Sequence, residues 1–94
     1  MKMEEIKMLI PGKTKSGFSY QIQKEQVENY EFMELIGEVE DNPVLFPKVI
    51  KMLLGKEQVD SLKDHLRTED GFVPAGKMIE EFKEIMNNHK LKNS

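Results

Sequence analysis

The spacing of apolar residues changes once along this chain, from a period of two to a period near 3.6. Between residues 13 and 23, Phe18, Tyr20 and Ile22 alternate with Ser19, Gln21 and Gln23, which predicts a half-buried strand. Ser16-Gly17 just before it is a turn signal, so a short hairpin is expected. Its first strand would come from residues 5–10 and end at Pro11-Gly12. A hairpin is marginal alone in water, so its apolar face has to lie against helices.

From residue 25 to 41 the spacing becomes helical. Val27, Tyr30, Phe32, Met33, Leu35, Ile36 and Val39 form one wide stripe, which predicts a single helix. Asn42-Pro43 reads as an N-cap with proline in the first turn. Pro47 would remove a hydrogen bond from a helix begun there, so a short turn over residues 43–46 should precede a helix over about 47–54. Val49, Ile50, Met52, Leu53 and Leu54 make that helix apolar on most sides, the pattern of a buried central element, and Gly55 supplies its stop. Residues 56–67 give another helix, with Val59, Leu62 and Leu66 inward and Glu57, Asp60, Lys63 and Asp64 outward. A turn over residues 68–71 follows, with Phe72 and Val73 stapling it down before Pro74 opens the last helix. That helix sets Met78, Ile79, Phe82, Ile85 and Met86 on one face. The expected fold is mainly α, about four short helices with a small N-terminal β-hairpin. It forms one domain, with residues 1–24 as the hairpin segment, 25–89 as the helical core and 90–94 as a flexible tail, fraying after Asn87-Asn88.

Composition narrows the function more by exclusion than by assertion. A chain of 94 residues without internal repeats fits one domain and buries only about 60–65% of its unfolded surface. Without cysteine there is neither a disulfide nor a thiolate metal site, which is compatible with a reducing compartment. Glu4, Glu5 and Lys7 interrupt any signal-peptide core, and no apolar run approaches the roughly 20 residues of a membrane span. A cytoplasmic protein with no membrane partner is expected. The net charge of −3 opposes general nucleic-acid binding. Seven methionines suit either irregular core gaps or an adaptable binding surface.

The 25–41 helix carries Glu28, Glu31, Glu34, Glu38, Glu40 and Asp41 with no basic residue among them. The last three sit at the unfavourable end of the helix dipole. Lys48 and Lys51, solvent, or a basic partner would compensate them; Glu31, Glu34 and Glu38 are the candidate acidic face. His65 and His89 are 24 residues apart and lack metal-ligand spacing, so each is expected to be solvated or capping. No positioned nucleophile, phosphate-cradling glycine loop or cofactor motif is present in the sequence, and a non-enzymatic protein is expected. Asp60-Ser61-Leu62 matches the triplet that carries phosphopantetheine in acyl carrier proteins, but there the serine opens a long helix, whereas Ser61 falls inside a short one. A helix-turn-helix regulator over residues 56–86 would bring Glu80, Glu81 and Glu84 to phosphates with only Lys77 and Lys83 to offset them. A generic acidic adaptor is a further alternative.

The order YEFMELIGEVED, NPVLFPKVIKMLLGKEQVDSLKDHLR, EDGFVPAGKMIEEFKEIM and a KNS end resembles the tail assembly chaperones of long-tailed bacteriophages and prophages of Gram-positive bacteria. The likeness covers about residues 18–94 and is most specific in LLGKEQVDSLKDHLR and EDGFVP. The resemblance implies a protein of the infected bacterial cell that binds the tape measure protein, helps recruit the major tail protein of the tube, and is absent from the finished tail. It also implies a longer product made by frameshifting near the end of the reading frame. A chaperone of an elongated helical partner needs adaptable apolar surface. Phe46, Met52, Met78, Phe82 and Met86 are the candidates for it, with ordinary core packing the alternative for each, and self-association through the same face is a related possibility.

Overall fold

The computed structural model describes residues 8–89, and they are mainly α with an N-terminal β-hairpin. Strands β1 (Leu9–Lys13) and β2 (Ser19–Gln23) are followed by helices α1 (Lys24–Val27), α2 (Tyr30–Asp41), α3 (Phe46–Leu54), α4 (Lys56–Leu66) and α5 (Ala75–Asn88). A single 3-10 turn, Pro43–Leu45, joins α2 to α3. Five helices therefore stand among the described residues, where about four were expected. The expectations for residues 5–7 and 90–94 lie outside the described residues.

The hairpin departs from expectation in its first strand. β1 runs through Pro11-Gly12 and pairs antiparallel with β2, Ile10 opposite Ile22 and Pro11 opposite Gln21. Backbone bonds join Lys24 N–H to Met8 O and Thr14 N–H to Phe18 O. Hydrogen-bonded pairs alternate along such a ladder, which leaves Pro11 at a non-bonded position where its missing N–H is not needed. Gly12 is required for another reason: a Cβ there would overlap the Tyr20 hydroxyl and ring across the strand pair. The outward groups of Gln21 are taken by a side chain of α4. Gln21 N–H donates to Gln58 Oε1 and Gln58 Nε2 donates to Gln21 O, both at 2.7 Å, so one amide closes that sheet edge.

The expected single helix over residues 25–41 is two helices. Asn29 is extended at φ −73°, ψ 125°, and its side chain accepts the Glu31 N–H at 2.9 Å. An asparagine that caps a new start outcompetes continuation of the old helix, since it satisfies a donor the broken turn would orphan. The expected stop and start further on are present. Pro43 begins the 3-10 turn, Pro47 falls in the first turn of α3, and Gly55 ends α3 while its carbonyl accepts Val59 N–H to begin α4. Gly55 lies at φ 84°, ψ 159°, which is open essentially to glycine alone.

Val49, Ile50, Leu53 and Leu54 of α3 are all buried, and α3 touches α1, α2, α4 and β2. Phe18, Tyr20 and Ile22 supply the hairpin's buried face, Phe32 and Leu35 that of α2, Val59 and Leu62 that of α4, and Met78, Phe82 and Ile85 that of α5. α5 closes the far side by packing on α4 and β1. Phe72 corrects an expectation: it is 70% exposed, and only Val73 packs on the core. The turn is held by polar bonds instead, with Thr68 N–H donating to Phe72 O and Phe72 N–H to Thr68 Oγ1. On the outer face of α4, the Lys56 hydrogen bond holds the Asp60 carboxyl below the ordinary aspartate range, with Lys63 adding to the effect. That small contribution is present at neutral pH and disappears as pH falls through the lowered value.

Two glycine substitutions separate backbone strain from steric overlap. Gly55→Ala meets no atom within 4 Å, so its expected loss of about 1–3 kcal/mol comes from φ alone. Gly12→Ala should lose roughly as much by displacing Tyr20. Urea unfolding of both variants checks this, and restoration of Gly12→Ala, but not of Gly55→Ala, by Tyr20→Leu distinguishes the two causes.

Candidate partner-binding site

Helices α2 and α3 meet along their buried sides and leave an open cleft of about 300 Å³ above the contact. Glu31, Glu34, Leu35 and Glu38 form its α2 wall, and Lys48 and Met52 its α3 side. Positions 31, 34 and 38 follow the three-then-four spacing of one helix face and cover about 10 Å of its length at 1.5 Å per residue. The three glutamates of the candidate acidic face are thus brought together on one wall. Compensation from the next helix is incomplete. Lys48 lines the cleft, but among the described residues neither it nor Lys51 forms an ion pair with these carboxylates. No basic residue occupies the last turn of α2.

A second cleft of about 290 Å³ lies on the other side of Met52, between α3 and the hairpin. Leu9, Met52, Leu53 and Leu54 give it apolar lining, and Gln21, Gln23, Gln26 and Gln58 give it neutral polar groups. Met52 is common to both clefts. A flexible, polarizable side chain between an acidic and an amide-lined cleft can repack against differing partner shapes.

The structure disperses the five apolar candidates. Met78 and Phe82 are core residues, 8% and 7% exposed, because the α5 stripe that carries them covers α4 and the hairpin. Phe46 is half-buried with its ring edge-on to Phe82 at 5.4 Å between centroids, and Met86 is half-buried beside the core. Of the five, Met52 lines the two clefts described above. The large apolar side chains that do face solvent include Tyr30 and Met33 on α2, 69% and 59% exposed. Tyr30 lies one turn before Glu34, within reach of the acidic wall.

A polar cluster under the hairpin turn has no counterpart in the sequence reading. Ser16 Oγ donates to Glu81 Oε2 at 2.8 Å, and His65 Nε2 lies 3.1 Å from Ser16 Oγ and 3.0 Å from Ser16 O. Serine, histidine and a carboxylate together suggest a hydrolytic triad, but the proton positions oppose it. A backbone carbonyl only accepts, so Nε2 carries the proton and is not a base toward Ser16. The hydroxyl proton goes to Glu81, and that carboxylate orients the serine where a triad would need it on the imidazole. Glu84 Oε2 also accepts Lys15 N–H at 2.8 Å, so two carboxylates of α5 hold the turn in place. Among the described residues no group of three acidic or histidine side chains has the arrangement of a metal site. His89, expected to be solvated or capping, shares a hydrogen bond between its Nε2 and Tyr20 Oη at 2.9 Å, while Asn88 Nδ2 donates to the same oxygen.

Glu81 was legible in retrospect, since it falls three residues after Met78 and four before Ile85, inside the buried stripe. It is 7% exposed, and its Oε1 has no hydrogen-bond partner among the described residues. No family model, curated protein or solved structure matches the chain.

Removing one partner of a buried carboxylate costs more than removing both. Ser16→Ala should therefore destabilise the protein by about 1–3 kcal/mol, whereas Ser16→Ala combined with Glu81→Met should recover most of that loss. Chemical denaturation of the two variants measures the difference.

Proposed function

We propose that this protein is a non-catalytic assembly chaperone that holds a helical partner on the surface around Met52, and that the partner is the tape measure protein of a long-tailed bacteriophage. The observation that carries the proposal is the pair of clefts meeting at Met52, one walled by glutamates that form no ion pair among the described residues and the other by glutamines. Such a surface is open, suited to a chain segment more than to an enclosed small molecule. The resemblance supports the same reading. LLGKEQVDSLKDHLR forms the end of α3, the Gly55 link and α4, and EDGFVP forms the turn into α5, so its most specific residues supply Leu53, Leu54, Gly55 and Gln58 of the amide-lined cleft. In this reading the chaperone keeps the apolar helices of the tape measure soluble while the major tail protein assembles around them.

The regulator alternative is not favoured by the helices concerned. α4 and α5 are joined by eight residues, 67–74, where a helix-turn-helix uses about 3–4. The face of α5 bearing Met78, Phe82 and Ile85 is buried.

Co-expression with a tape measure protein from a Gram-positive phage is the direct test. The expected result is a soluble tape measure that co-purifies with this chain. A tape measure that stays insoluble, with no complex recovered, overturns the proposal.

A further inference from the structure

We infer that the cleft between α2 and α3 takes one face of a partner's amphipathic helix, a face whose charges are arranged in a definite order across its width. Lys or Arg side chains of the partner at i, i+3 or i+4, and i+7 meet Glu31, Glu34 and Glu38. An aliphatic side chain between them rests on Met52, and an acidic residue on the far flank faces Lys48. This rests on the reading of the chain as a partner-binding protein and adds which partner surface it selects.

Three observations on different residues converge on it. The first is electrostatic: Glu31, Glu34 and Glu38 stand on one wall with no ion pair among the described residues, and Glu38 lies at the negative end of α2. A row of like charges at helical spacing raises the free energy of the isolated helix, and cations placed along it remove that cost. The second is the floor. Met52 and the small exposed part of Leu35 line the cleft together with Glu31, Glu34 and Glu38 from α2 and Lys48 from α3, so an apolar contact shares the cleft with charges of both signs. A ligand that is only basic would meet Lys48 with repulsion, whereas a helix carrying a basic stripe, an apolar seam and an acidic flank satisfies all three zones. The third is Tyr30, 69% exposed and one turn before Glu34. A basic side chain directed to Glu34 can lie over the Tyr30 ring, which attracts cations through its face. The length agrees as well: the glutamate row covers about 10 Å, or two turns of a docked helix.

The probe is a fluorescein-labelled synthetic helix of about 18 residues with a leucine seam, a lysine stripe on one side and glutamates on the other. Anisotropy is followed with the full chain at low and at near-physiological salt. Expected is saturable binding that weakens with salt, and a loss of about tenfold or more in the Glu31→Gln, Glu34→Gln, Glu38→Gln triple variant together with most of the salt dependence. All three positions are exposed, and circular dichroism confirms that the variant stays folded. Glu34→Lys should reject the probe and regain it when the facing lysine of the peptide is changed to glutamate. Equal binding by the triple variant, equal binding of a peptide with the two charged flanks exchanged, or no binding of the original peptide overturns the inference. Co-expression separates this outcome from that of the function proposed above. A tape measure captured equally by the native chain and the triple variant sinks the cleft assignment alone, and a native chain that binds the peptide but captures no tape measure sinks the chaperone reading alone.

Discussion

The structure depends on burying α3. Nine residues make too short a helix to persist in water, yet four of its side chains, Val49, Ile50, Leu53 and Leu54, are at most 5% exposed. Each such burial is worth roughly 1.5–3 kcal/mol, and α3 can collect it only if something covers nearly every side. α1, α2, α4 and β2 do so. This explains the hairpin as well, because two strands marginal by themselves become stable when Phe18, Tyr20 and Ile22 find the helical core.

The same constraint shapes the surface. An element wrapped on most sides still has positions that its neighbours do not fully cover, and on α3 these include the exposed Lys48 and the half-buried Met52. α2 arrives with Phe32 and Leu35 turned inward, which turns Glu31, Glu34 and Glu38 outward along the rim. The acidic wall and the methionine floor are therefore consequences of how α2 docks, and neither requires extra structure to hold it. Rigidity comes from elsewhere. Gln58 closes the β2 edge, while Ser16, Lys15 and Tyr20 tie the hairpin to α4 and α5 through His65, Glu81, Glu84 and His89.

What could be read along the chain was whatever local chemistry decides. The alternation over Phe18, Tyr20 and Ile22, the prolines before α3 and the glycine after it act within a few residues, and their elements lie where they were expected. The break before Tyr30 was missed because the apolar stripe continues across it, although Asn29 ahead of Glu31 is an N-cap signal. Of the functional residues, the glutamates at 31, 34 and 38 were legible as one helix face. Met78 and Phe82, for which surface and core were both open, lie in the core, since a stripe of that composition is the same whether it covers a core or waits for a partner.

The sequence by itself determined that this is a mainly helical, cysteine-free chain with a β2 strand, a central apolar helix and an acidic helix before it, because periodicity, caps and breakers act over a turn or two of backbone. Tertiary structure alone decided that Pro11 sits inside a strand, that Glu81 is buried under Ser16, that the far-separated Tyr20 and His89 meet, and that Met52 lines two clefts while Phe82 is buried in the core. Those outcomes depend on which faces of distant elements compete for the same buried volume, and packing settles that competition only once the whole chain is assembled.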